Sequence, residues 1–290
     1  MKSLIAIATA LVIILAGGMA ARAAEPEFAF HQIGRDAYVF RMNNRNSPVI
    51  VGSNGVLVMD SQNTFFAPII KREIEKRFHK PVKWLVYSHA NADHVRGAAV
   101  FADTATVIAQ KRQLPRLRYI KEDSFPLPDV LFDKEMTIDL GGKTVILHDF
   151  GINHATGVIV MELPDDKVIT TIDMVYKHRL GFYFMPDFNP RAWLASLKTI
   201  MKTLDFDRVV VGHGSVTASR AEMADFIGYL EDLHKQVRAV WKRTHHLGPH
   251  KGLDIARRDV DLTKYQDWGF YDRFRDLNIM AVYLALDMGY

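Results

Sequence analysis

The sequence predicts a mixed α/β fold, read as a four-layer αβ/βα sandwich with a C-terminal helical appendage. Three observations point there. Short apolar runs bounded by turn residues recur through residues 37–211. Amphipathic segments with helical period interrupt them. The order strands, helix, strand occurs twice, and each half closes on a buried strand. Periodicity alone supports only a mixed α/β class. The doubled order is what suggests two packed sheets.

The elements follow in chain order. Met1 and Lys2 precede an apolar run over residues 4–15, followed by Gly17, Gly18 and the ending Ala21-Arg22-Ala23-Ala24. A basic start, a short apolar middle and an A-x-A end describe a secretory signal peptide over residues 1–23. The run is short for a membrane span of about 20 residues, so no membrane anchor is expected after cleavage. The expected location is periplasmic or secreted. Residues 37–40, 48–51 and 56–59 then read as strands, punctuated by Gly34, Asn43-Asn44 and Asn54-Gly55. After Asp60-Ser61 a helix presents Ile69, Ile70, Ile74 and Phe78 on one face and Lys71, Arg72, Glu75 and Lys76 on the other. A buried strand at 82–87 leads to a polar loop.

Val107-Ile108 reads as a further strand. Gly141-Gly142 joins strands at 137–140 and 144–147, and Pro164-Asp165-Asp166 joins strands at 158–163 and 168–172. A helix at 191–203 precedes a strand at 208–211. From about Ala218 the pattern is helical, with Met223, Phe226, Ile227, Leu230, Leu233, Val237 and Val240 at helical spacing. A loop around Gly248-Pro249 and a last helix near 278–286 complete it. The expected division is a core domain over 28–217 and a helical extension over 218–290 packed on it.

Composition narrows the function classes. At 49% hydrophobic and 24% charged residues the chain is ordinary for a globular protein. The formal charge of +4 falls to +2 once Lys2 and Arg22 leave, which gives no footing for nucleic-acid binding. There is no cysteine, hence no disulfide, thiolate ligand or thiol nucleophile.

Four pieces carry chemistry. The loop after the strand at 82–87 reads Ser88-His89-Ala90-Asn91-Ala92-Asp93-His94. Gly151-Ile152-Asn153-His154 follows, then Thr171-Ile172-Asp173 and Gly212-His213-Gly214 at strand ends. Without thiolates, zinc prefers imidazole nitrogen and carboxylate oxygen. A loop leaving a buried strand can aim alternate side chains at one point, and His89, Asn91, Asp93 and His94 can divide between two neighbouring ion positions. Two cations held close together need a bridging anion, which suits Asp173. Any one piece alone reads more simply as a surface or satisfied core residue; the four together point to a metal site.

These pieces, in this order and at strand ends, resemble the metallo-β-lactamase superfamily, whose first motif is H-x-H-x-D-H. The resemblance covers about residues 30–217, and the stretch near 278–286 is similar to the C-terminal helix of many secreted members. It implies the metallo-β-lactamase sandwich. It also implies His89 and His154 at a first metal position, Asp93, His94 and His213 at a second, and Asp173 as the bridge. Asn91 stands where the family has its second histidine. An amide oxygen is a weaker zinc donor than imidazole, so the second position is expected to fill more tightly; the alternative is that Asn91 coordinates and two ions bind normally.

The implied activity is that of a hydrolase acting on an ester, lactone, thioester or amide-like small molecule. The ion lowers the pKa of a bound water and stabilises the oxyanion, and Asp93 binds metal and holds the water's proton. Ser88 is read as a hydrogen-bonding support for the ligands. Lys177, His178 and Arg179 are candidates for an anionic substrate group, against a plain solvated loop. Phe182, Tyr183, Phe184 and Met185 read as core packing rather than a pocket wall. Lys111, Arg112, Arg116 and Arg118 read as a solvated helix face, and His245, His246 and His250 as loop residues. Two other classes stay open. One is an iron-dependent persulfide-type dioxygenase using His89, His154 and Asp173; the other is a non-catalytic metal-binding relative. Oligomeric state leaves no mark in these residues.

Overall fold

The computed structural model describes residues 27–120, 122–183 and 189–289. The expected signal peptide, Phe184 and Met185 lie outside the described residues. The first half runs β1 (Phe28–Gly34), β2 (Ala37–Met42), β3 (Arg45–Gly52), β4 (Gly55–Met59), α1 (Ala67–Phe78), β5 (Val82–Val86), α2 (Ala92–Val95), β6 (Thr106–Gln110), α3 (Leu114–Ile120) and β7 (Val130–Phe132). The second runs β8 (Glu135–Asp139), β9 (Thr144–Asp149), β10 (Ile159–Leu163), β11 (Val168–Thr170), α4 (Pro190–Thr203), β12 (Arg208–Val210) and β13 (Thr217–Ser219). Helices α5 (Arg220–Thr244), α6 (Pro249–Asp259) and α7 (Tyr271–Asp287) follow.

The strands form two sheets, ordered β1-β2-β3-β4-β5-β6-β7 and β13-β12-β11-β10-β9-β8. Pairing is antiparallel from β1 to β4 and parallel from β4 to β7. In the second sheet only β11 and β12 are parallel. Side-chain alternation explains the layering. On β4, Leu57 and Met59 meet Leu147, Ile159 and Met161 between the sheets. Val56 and Val58 on the opposite face pack with Ile70 and Ile74 of α1. Val160 and Ile169 turn the other way, onto Trp193 and Leu197 of α4 and Phe226, Phe274 and Ile279 of the C-terminal helices. Helix, sheet, sheet, helix is the four-layer order expected.

Several local expectations need correcting. The expected loop around Gly248-Pro249 is short, and His250 lies on a helix: residues 249–259 form α6. Its buried set is only Gly252, Leu253 and Ala256, too narrow a stripe to stand out in sequence. Helix α7 begins at Tyr271, and β11 stops at Thr170 because the chain turns there, with Met174 N–H donating to Thr171 O at 3.0 Å. Arg112 is not simply solvated; its guanidinium pairs with the buried carboxylate of Asp149.

Candidate metal centre

The site lies where parallel strands end. β4 delivers Asp60, β5 delivers Ser88 and His89, β11 leads to Asp173, and β12 leads to His213. Strands running side by side in one direction bring their C-terminal ends to one edge. Asp173 adopts a left-handed backbone (φ 59°), which short polar side chains tolerate. Gly212 makes room for it, since a Cβ there would lie 2.3 Å from Asp173 Oδ1.

Three imidazoles point Nε2 at one oxygen of Asp173. The Nε2···Oδ2 distances are 3.2 Å from His94 and 3.9 Å from both His89 and His154. His213 Nε2 stands 3.5 Å from Asp173 Oδ1 and 3.5 Å from Asp93 Oδ2, and His94 Nε2 is 3.6 Å from Asp93 Oδ2. The structure thus gathers His89, Asn91, Asp93, His94, His154, Asp173 and His213 at one edge. His89 Nε2, Asn91 Oδ1 and Asp173 Oδ1 are buried with no hydrogen-bond partner among the described residues. Unpaired buried polar atoms are costly, so three converging here point to a missing partner. Two ligands at 2.0–2.1 Å on one tetrahedral ion stand about 3.4 Å apart. The distances linking Asp93, His94, His213 and Asp173 match that spacing, so the donor set fits a divalent cation. His89 and His154 sit wider, and the amide nitrogen of Asn91 lies 3.4 Å from His154 Nε2.

Neighbouring groups fix which ring nitrogen faces inward. Asp60 is fully buried and accepts from His94 Nδ1 at 2.8 Å, Ser88 Oγ at 2.7 Å and Ser88 N at 2.8 Å. With its own proton committed to Asp60, Ser88 Oγ accepts from His89 Nδ1 at 3.0 Å. His213 Nδ1 donates to the carbonyl of Asn44 at 3.2 Å. All three rings therefore turn Nε2 toward the centre. Ser88 has the supporting place that its position suggested. Asp60, Asn44 and Arg45 carry no sequence signal of their own. Arg45 Nη1 donates to Asp93 Oδ2 at 2.8 Å, and buried Asn46 ties β3 to Val211 O and Ser215 O at 2.7 and 2.8 Å.

Charge is balanced within the cluster. Burial works against ionising Asp93 and Asp173. For Asp93 the charge of His94 and the hydrogen bond to His213 outweigh it, and for Asp173 the charges of His213 and His94 do, so both carboxyls stay well below their usual range. Burial likewise opposes a charge on His94, but Asp173, Asp93 and Asp60 overcome it and hold the imidazole well above its usual value. Burial dominates at His89 and His154 and lowers both. A cation would displace the His94 proton on binding.

A cleft of about 280 Å³ opens over the cluster. Of the three basic candidates only Arg179 lines it. Lys177 pairs with Glu222 of α5 at 2.9 Å and exposed His178 faces Asp225 at 3.6 Å, and neither is among the residues that line the cleft. Phe182 is another correction: it lines the cleft rather than the core and is 50% exposed, while Tyr183 beside it is 40% exposed. Phe270, Arg273 and Phe274 complete that wall from the C-terminal helices. Among the described residues, His245, His246 and His250 form no second cluster suited to a metal.

Similarities to known proteins agree with this geometry. The α subunit of 2,4-dinitroanisole O-demethylase from Nocardioides sp. (strain JS1661) is 24% identical over 225 residues, or 75% of this chain. The chain spans 62% of that relative's length. A metallo-beta-lactamase from Pontibacter korlensis superposes with a TM-score of 0.64 at 17% identity, covering 71% of this chain and 99% of the other. The structure of VMB-1 superposes with a TM-score of 0.62 at 16% identity, covering 70% and 96%. The family model of the metallo-beta-lactamase superfamily matches residues 43–213, which spans every candidate ligand, and the chain belongs to that superfamily.

Proposed function

We propose that the protein is a metal-dependent hydrolase of small molecules. The supporting observation is the convergence of four Nε2 atoms and two carboxylates at a sheet edge, with buried donor atoms left unpaired. Asp93, His94 and His213 with Asp173 would hold the more tightly bound ion; His89, His154 and the Asn91 amide would hold a weaker one. Zinc is the ion proposed, since nitrogen and carboxylate donors suit it. When bound, it supplies Lewis acidity and a water of lowered pKa. The chain's own groups do the rest. His94, His213 and Arg45 keep Asp93 ionised against its burial, so Asp93 can accept a hydrogen bond from a water at the site and orient it. His94 and His89 are held in fixed tautomers by Asp60 and Ser88, so neither ring needs to turn during a cycle. The cleft orients an ester, lactone, thioester or amide-like bond over the cluster.

Export is proposed with it, on the strength of the first 23 residues. Among the described residues no helix is long and apolar enough to cross a membrane.

The test is elemental analysis of protein purified without added metal, followed by a substrate panel before and after chelation. The panel should include an aryl methyl ether, since one relative is named for O-demethylation. Zinc at about one equivalent, with turnover lost on chelation and restored by zinc, is the expected result. Iron with oxygen uptake on a persulfide would replace the hydrolase reading with a dioxygenase. No retained metal and no turnover would favour a non-catalytic relative.

A further inference from the structure

We propose that the wall built by Arg179, Phe182, Phe270, Arg273 and Phe274 is a subsite for a planar aromatic group bearing an anionic oxygen function, such as an arene carboxylate or sulfonate. Placing this group on the substrate rests on the hydrolase reading; the subsite itself rests on the following contacts.

Arg179 stacks over two rings, with its guanidinium carbon 4.7 Å from the centroid of Tyr176 and 5.0 Å from that of Phe270. Among the described residues its buried Nε has no hydrogen-bond partner and no carboxylate pairs with it. Stacking uses the faces of a guanidinium and leaves its in-plane donors free. Packing between the two rings accounts for the faces of that side chain and leaves its in-plane donors unaccounted for. The backbone at this point holds the C-terminal segment, through Gly269 N to His178 O at 2.9 Å and Leu180 N to Gly269 O at 3.1 Å. The guanidinium takes no part in those bonds.

Arg273 adds a second cation at the rim, over Phe274 and likewise without a carboxylate partner among the described residues. The other charges of the cleft are committed: Arg45 to Asp93, and Asp173 to the histidines. The wall is therefore cationic where the cluster is balanced. Its apolar part is continuous. Phe270 stacks on Phe274 at 5.1 Å and 29°, and Phe182 meets Phe274 edge-on at 5.5 Å and 78°. Phe270 is nonetheless 46% exposed and Phe182 50%. Aromatic surface left open inside a cleft is suited to another ring. The position is held from behind by buried Asn278, which donates to Gly181 O and Tyr183 O at 2.9 Å each and accepts from Tyr229. A cation with free in-plane donors beside exposed aromatic surface suits a flat anion.

The test is calorimetric binding to zinc-loaded protein of naphthalene-2-sulfonate, methanesulfonate and naphthalene-2-methanol. The first is expected to bind at least about tenfold more tightly than either of the others, and Arg179→Gln to remove about tenfold of that affinity. Phe270→Ala should weaken the sulfonated ring and leave methanesulfonate unchanged. Equal binding of the two sulfonates, or of the ring with and without its charge, overturns the subsite. That comparison uses the unaltered protein, so a misfolded variant cannot obscure it. No turnover on the substrate panel with the ring-sulfonate preference intact removes the hydrolase reading alone. Turnover of neutral aliphatic esters with no ring-sulfonate preference removes the subsite alone.

Discussion

At the scale of single residues, Asn91 and Asp60 are the places where the proposed cation site can be tested. Asn91 presents a buried, unpartnered amide oxygen beside His154. Asn91→His should raise metal content toward two equivalents, read by elemental analysis after dialysis against a weak chelator. Wild-type protein already holding two equivalents under that treatment would remove the assigned weakness. Asp60 is one carboxylate serving two histidines, His94 directly and His89 through Ser88. Supporting residues of this kind commonly contribute 10–100-fold to metal affinity. Asp60→Asn should cost zinc affinity on that order in a competition titration with a chromophoric chelator; unchanged affinity would mean that the rings are oriented by packing alone.

Among the elements, α5 carries the clearest pH signature away from the metal. It opens with a capping box, Ser219 and Glu222 each bonding the other's backbone. Further along, His234 is pulled down from 6.5 to about 4 by burial and by the charge of Lys198, and its buried Nε2 has no hydrogen-bond partner among the described residues. Its native form thus stays neutral where the unfolded chain takes up a proton. Stability should fall as pH drops from about 6.5 to about 4 and level off below, by on the order of 1–3 kcal/mol after allowing for partial exposure. His234→Gln should flatten that part of a Tm-against-pH curve. The elements also separate what sequence could and could not tell. β4 and α1 were legible because their faces are uniform: every residue of β4 is buried, and α1 divides cleanly. The candidate ligands stood out in the sequence because they cluster beside strand ends, and the structure brings them to one edge. Helix α6 did not, for its buried stripe is three small or isolated residues. Asp60, Arg45 and the Phe270–Phe274 wall did not either. Their roles come from pairing across 34, 48 and roughly a hundred positions, which no local pattern records.

For the molecule as a whole, each sheet contributes part of the candidate metal site, His89 and Asp93 following strands of one and Asp173 and His213 following strands of the other. An ion binding only the folded chain stabilises it by mass action, about 4 kcal/mol at a thousandfold excess over Kd. Exhaustive chelation should therefore lower Tm by about 10 °C, and zinc should restore it. An equal Tm with and without metal would show a cluster assembled by packing alone. The C-terminal wall also bears on the order of events. A chain leaving the ribosome can bring together every candidate ligand, the last being His213, before Phe270 has been made. Contacts so distant in sequence form late and slowly. On the proposed reading, a partly refolded molecule would capture its ion while the wall beside it is unformed, and any preference for an aromatic anion would arise only after the final helices dock.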